Sequence, residues 1–152
     1  MLCGLPGSGK TRLARELAEG LPAISLDLDS WALSLLGQTP PPAQLHDLLL
    51  RLKDLHWSTA RQLLAQGTNV VLDFGFWKRA ERLEFARRAR ESGARPVLYF
   101  LDPPEEVLRS RLADRNRNLP PATYEITLEM LEVLMPRFER PDAGEGIEMK
   151  LI

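Results

Sequence analysis

A single cysteine, Cys3, stands in a chain of 152 residues. No intramolecular disulfide can form, and a reducing cytoplasm is the expected compartment. Its place in an expected buried strand makes Cys3 a small core residue rather than a reactive thiol. No stretch approaches the roughly 18 uninterrupted apolar residues of a membrane span. The first residues run straight into a glycine-rich segment, so no signal peptide is expected ahead of the domain. Internal repeats and low-complexity tracts are lacking too. The formal net charge is only −1, which gives no support to a general nucleic-acid or membrane-surface binder, although a local basic groove stays open. Lysine is scarce beside arginine, whose planar guanidinium forks suit phosphate recognition. What is present, 44% apolar and 27% charged residues, fits one globular domain with a substantial core.

Three short apolar runs ending in acidic or turn residues read as buried parallel strands: AISLDL at 23–28, NVVL at 69–72 and PVLYFL at 96–101. Helical patterns alternate with them. Residues 11–19 carry Leu13, Ala14, Leu17 and Ala18 at helical spacing, and Gly20 stops them. Residues 45–66 set Leu48, Leu49, Leu52 and Leu55 on one face. Residues 79–92 turn Leu83, Ala86 and Ala89 inward and present a basic outer face. A further helix starts at Asp102-Pro103-Pro104, where proline suits the first turn, and reaches about Arg115. Residues 123–138 offer another amphipathic stretch, and residues 147–152 a last edge strand. Two irregular segments, 38–43 and 116–122, interrupt the order. The alternation implies βαβ units, hence a parallel sheet with helices on both faces. Ligands of such sheets sit beyond the carboxyl ends of the strands, where the glycine-rich segment, Asp27, Asp29 and Asp73 all fall.

Gly4-Leu5-Pro6-Gly7-Ser8-Gly9-Lys10-Thr11 satisfies the pattern G-x-x-x-x-G-K-[ST] in full. Glycines let the backbone turn so that successive N–H groups point inward at phosphate oxygens. The following helix adds the positive end of its dipole. Lys10 is placed to reach the β- and γ-phosphates, and the Thr11 hydroxyl to coordinate Mg²⁺. Only Met1-Leu2-Cys3 precede Gly4, against about five or six residues in a typical strand. The expectation is that Met1 is a misassigned or alternative start with apolar residues missing upstream.

Asp73 closes an apolar run and suits either the carboxylate that orients a Mg²⁺ shell or a helix cap. Asp29 suits a general base facing the γ-phosphate or, with Ser30, a helix N-cap; Asp27 is a second carboxylate for the same place. Arg111 and Arg115 lie four apart on one helix face, flanked by Arg109 and Arg117. Such a cluster reads as a lid over phosphates or as a solvated basic face. Trp31, Phe76 and Trp77 suit an acceptor pocket or the core. His46 and His56 show no metal-ligand spacing.

GLPGSGKTRLAREL, SLDLDSW, VVLDFGFWKR and VLRSRLADRN together resemble the P-loop kinase-like ATP-binding proteins of bacteria. This AAA-type family is related to polynucleotide 5′-kinase, chloramphenicol phosphotransferase and zeta toxin domains. The resemblance covers nearly the whole chain. It implies a P-loop NTPase α/β fold, with a five-stranded parallel sheet, helices on both faces and a short lid. It also implies that Lys10 and Thr11 serve phosphate and Mg²⁺, and it matches Asp29 to the acidic residue acting as general base. Arg111 and Arg115 match the lid arginines that pack on adenine and contact phosphate. Arg12 stands where many relatives have a second threonine, and the acceptor-binding residues of the named relatives have no counterpart here.

The expected activity is therefore an ATP- and Mg²⁺-dependent transfer of the γ-phosphoryl group to a hydroxyl of a small molecule or nucleotide. Lys10, Asp29 and Arg115 are its expected catalytic groups. The other class of reading is a regulatory module that hydrolyses ATP without an acceptor. Nucleic-acid 5′-hydroxyls stay among the acceptors without support from charge. ATP against GTP, the acceptor and the oligomeric state are left open.

Overall fold

Strand and helix alternate along the chain because short β-branched or apolar runs are each followed by an amphipathic segment with its own stop signal. The computed structural model describes residues 1–36, 42–120, 123 and 125–152, with residues 42–45 described by backbone alone. In chain order the elements are β1 (Leu2–Cys3), α1 (Lys10–Gly20), β2 (Ala23–Asp27), α2 (Leu28–Leu36), α3 (Pro42–Ala65), β3 (Asn69–Asp73), α4 (Arg79–Glu91), β4 (Val97–Phe100), α5 (Glu105–Arg117), α6 (Leu128–Leu134) and β5 (Glu148–Leu151). Short 3-10 turns occupy Met135–Arg137 and Ala143–Glu145.

All strand pairs are parallel. The hydrogen-bonded sheet expected to have five strands is instead divided into a three-stranded sheet, β1-β4-β5, and a two-stranded one, β2-β3. Among the described residues a single parallel bridge, Cys3 to Gly75, joins them. Both residues of β1 ladder with β4, and on its other side the strand meets only the segment just past the end of β3. The bridge still sets the chain order β2-β3-β1-β4-β5, so the direction of winding changes beside β1. Open α/β sheets bind ligands at such a switch point.

Alternation along the strands divides the core between two faces. Leu2, Val71 and Tyr99 pack with Leu13, Ala14 and Leu17 of α1. Cys3, Leu26, Leu72 and Leu98 face the other way, into a larger cluster with Ala32 of α2, Leu52 and Ala60 of α3, and Phe85 and Ala86 of α4. Leu108 and Leu112 of α5 meet Leu131 of α6 and Leu5 of the glycine-rich loop in a third cluster.

Several boundaries differ from expectation for identifiable reasons. Helix α2 starts directly at the end of β2, because the Asp27 carboxylate caps it by accepting from the backbone N–H groups of Asp29 (3.0 Å) and Ser30 (3.4 Å). The amphipathic stretch at 123–138 becomes a helix only from Leu128, where Thr127 caps it by accepting from the Met130 N–H (3.2 Å). Leu55 and Leu83, read as inward, are exposed. On α4 the inward stripe is Arg82, Phe85 and Ala86. Residues 38–41 and 121–122 of the two irregular segments lie outside the described residues. Among the described residues, no helix is long and apolar enough to cross a membrane.

Candidate active site

The segment between β1 and α1 wraps tightly because its glycines adopt conformations that side chains resist. Gly7 and Gly9 lie at φ 81° and 103°. A Cβ on Gly4 would stand 2.6 Å from the Leu101 carbonyl oxygen, and one on Gly7 would stand 3.0 Å from that of Leu108. The loop thus packs directly on the end of β4 and on α5. Inside it, the Ser8 N–H donates to the Leu5 carbonyl (3.2 Å). The Lys10 ammonium folds over the loop and donates to the same carbonyl (2.9 Å). Helix α1 begins at Lys10 with no side-chain cap, so its first N–H groups and the positive end of its dipole face the loop. Burial draws the Lys10 ammonium down from its usual pKa, while the Asp73 and Asp29 carboxylates oppose that shift.

Asp73, the last residue of β3, accepts a hydrogen bond from the Thr11 hydroxyl (2.9 Å). Helix α4 begins six residues later, at Arg79, with Lys78 at its N-cap, so Asp73 does not cap it. Burial raises the Asp73 carboxyl, and Lys10 holds it down. Asp29 sits in the first turn of α2, and its neighbour Asp27 does the capping. Its side chain is open to solvent on one side and crowded by protein atoms on the others. That desolvation, and then the Asp27 carboxylate, push its carboxyl up to about 6 despite Lys10 and Arg115.

Of the four arginines of α5, two turn toward the loop and two do not. Arg111 donates to the Ser8 carbonyl (3.1 Å) and lies 3.4 Å from that of Gly7. Arg115 is half-buried; burial lowers its pKa and Asp29 opposes this. Arg109 is engaged by Glu105 and Glu132, and Arg117 by Asp114. The helix therefore carries a solvated, ion-paired side and a side facing the phosphate loop. The fields of Lys10, Asp29, Asp73 and Arg115 meet at the carboxyl ends of β1, β2 and β3, together with the amino end of α1.

Residues 1–141 match the family model described as AAA domain. The chain belongs to the AAA domain family. It is similar over 99% of its length to a candidate kinase from Chloroflexus aurantiacus J-10-fl, with a TM-score of 0.74, 20% identity and 84% of that chain covered. Chaetomium thermophilum Kti12, solved in complex with ADP-AlF3, gives a TM-score of 0.70 at 16% identity, over 99% of this chain and 86% of that one. A gluconokinase from Sinorhizobium meliloti 1021 gives 0.59 at 20% identity, over 99% and 80%. At these identities the likeness establishes the P-loop kinase-like α/β fold. No curated protein matches.

One contact of this AAA domain protein escapes a reading of its sequence, that of the Trp77 indole with the phosphate loop. Phe76 is fully buried in an aromatic cluster with Phe74 and Phe85, so it is core and lines no pocket. Trp77 is half-buried, and its indole N–H donates to the Gly4 carbonyl (3.0 Å). Its spacing from the phosphate loop, 73 residues, leaves no local signal. His56 is buried edge-on against Trp31 (4.6 Å between ring centroids) and stacked on Phe74, so it belongs to the core beneath α2. Cys3 is also buried; its thiol donates to the Phe76 carbonyl (3.3 Å), and burial pushes it up to about 11. A cavity of about 350 Å³ beside Leu5, Leu101 and Phe138, and one of about 620 Å³ at the amino ends of the strands, both exclude Lys10 and Asp29. The candidate site lies at the carboxyl ends of the strands, where Lys10, Thr11 and Asp73 come together.

Proposed function

We propose that the protein binds ATP with Mg²⁺ and transfers the γ-phosphoryl group to a hydroxyl of a small molecule or nucleotide. The observation that carries this reading is Asp29: a carboxylate held near pKa 6, released from capping by Asp27, and within the field of Lys10 and Arg115. A module that only hydrolyses ATP would aim the same base at water rather than at an acceptor hydroxyl.

The residues present suit the two groups. The close packing at Gly4 and Gly7 leaves the inside of the loop to backbone N–H groups, as an anion cradle requires. Thr11 and Asp73 supply hard oxygen donors, few in number, as Mg²⁺ accepts when phosphate oxygens and waters complete its shell. When bound, the ion would offset the charge of the phosphate oxygens. The Thr11 hydroxyl would then hold it directly, and Asp73 would orient Thr11 and the bound waters. Asp29 takes the proton of the acceptor hydroxyl. The acceptor oxygen forms a bond to the γ-phosphorus as the bond to the β–γ bridging oxygen breaks, leaving ADP. Lys10 and Arg115 stabilise the charge that spreads over the equatorial oxygens in between. Arg111, which donates to the Ser8 carbonyl (3.1 Å), would pack on the base.

The test is a panel of alcohols, nucleosides, sugars and 5′-hydroxyl oligonucleotides incubated with γ-labelled ATP and Mg²⁺. Label on an acceptor is the expected result. Label released only as free phosphate in every reaction favours the hydrolysing module.

A further inference from the structure

The segment that follows β3 contains the one non-glycine residue at positive φ among the described residues, Phe76 at φ 44°. A bulky residue held there costs roughly 1–3 kcal/mol and persists only where its surroundings over-determine it. Those surroundings are unusually complete. The Phe76 carbonyl accepts from the Cys3 thiol (3.3 Å) and the Arg82 guanidinium (3.0 Å). The Trp77 carbonyl accepts from the Glu139 N–H (2.9 Å), and the Gly75 carbonyl from the Gly4 N–H (3.1 Å). Gly75, also at positive φ (80°), has no room for a Cβ beside the Trp77 indole nitrogen (2.8 Å). The turn is thus fixed from four sides, and its one polar side-chain contact toward the site is the Trp77 indole on the Gly4 carbonyl (3.0 Å).

We propose that Trp77 is a positioning residue for nucleotide binding, and that the strained Gly75-Phe76 turn exists to aim its indole N–H at the entry of the phosphate loop. Peptide planarity carries the effect forward: fixing the Gly4 carbonyl fixes the direction of the Leu5 N–H behind it. The next carbonyl, Leu5, takes the Lys10 ammonium and the Ser8 N–H. The loop's first two peptides are therefore oriented before any ligand arrives, which lowers the ordering cost of binding. The strut complements β1, whose pairing with β4 and bridge to Gly75 end at Cys3 and leave the Gly4 carbonyl to Trp77.

This inference rests on the nucleotide-binding reading, and the test separates the two. Trp77→Phe keeps an aromatic ring and removes the N–H. Trp77→His keeps an N–H at the same number of bonds from Cγ but gives up apolar surface. Mg-ATP binding is measured by calorimetry at pH 8, where imidazole is neutral, and the thermal midpoint of each nucleotide-free protein is recorded beside it. Trp77→Phe is expected to bind about tenfold more weakly and Trp77→His about threefold, the sizes of one lost and one weakened hydrogen bond. The thermal midpoints should fall in the opposite order, with Trp77→His lowest. Affinities that track the midpoints, or that match the unsubstituted protein in both variants, overturn the positioning role alone. No binding by the unsubstituted protein overturns the nucleotide reading and this inference with it.

Discussion

Asp29→Asn is expected to reduce phosphoryl transfer to the identified acceptor by about 10²–10⁴-fold, the range of a general base, with little change in Mg-ATP affinity. The two quantities separate because Asp29 stands on α2 and is part of neither the glycine loop nor the Thr11–Asp73 pair (2.9 Å). Its companion Asp27 already caps the helix, so the substitution removes a base without removing a cap. The pH profile supplies an independent readout. With the carboxyl at about 6, transfer should rise with pH through an acid limb near that value, and the limb should vanish in the variant. Unimpaired transfer by Asp29→Asn removes the residue from the mechanism.

The same shift sets a stability effect of opposite sense. A carboxyl raised in the folded state from 3.8 to about 6 contributes stability that is full below the unfolded value and is lost as pH climbs through the folded one. The nucleotide-free protein thus carries a burden at Asp29 above about pH 6. Asp29→Asn should raise the thermal midpoint at pH 7 and leave it unchanged below pH 3.8. Gain of stability with loss of activity is the signature of a group held in place for chemistry.

The largest structural effect is expected at Arg82. Its guanidinium is fully buried and forked onto Glu145, with Nε to Oε2 at 2.8 Å and Nη2 to Oε1 at 2.5 Å. Its remaining nitrogen donates to the carbonyls of Phe76 and Glu139. Arg82→Met leaves the Glu145 carboxylate buried without its partner and leaves two carbonyls short of a donor. Breaking a buried pair in this way costs about 3–5 kcal/mol. At about 2–4 °C per kcal/mol for a domain of this size, the thermal midpoint falls by about 6–20 °C. Arg82→Met combined with Glu145→Leu should recover much of that loss, because both charges then leave the interior together. A midpoint within a degree or two for the single variant would show that the pair carries no such weight.

What could be read in the sequence was whatever a local pattern encodes. The strands at 23–28, 69–72 and 96–101 fall within a residue or so of Ala23–Asp27, Asn69–Asp73 and Val97–Phe100, since each is a short apolar run with a clear stop. The phosphate loop is a contiguous motif, and strand-end logic placed Asp29 and Asp73 on the same edge of the sheet as Lys10. Helix α2 escaped because no turn residue separates it from β2; the cap, Asp27, is itself the last residue of the strand. The buried role of Arg82 escaped because its partner lies 63 residues away, beyond any helical period. The indole of Trp77 and the carbonyl of Gly4 are likewise joined only by the fold.

The most direct test of the whole account is a calorimetric titration of Mg-ATP into the full chain and into Lys10→Ala. Saturable binding by the unsubstituted protein, weakened about 10²-fold when the ammonium is removed, is the predicted result. No saturable binding, or equal affinity in the two proteins, would contradict the assignment of Gly4 to Thr11 as the phosphate-binding loop.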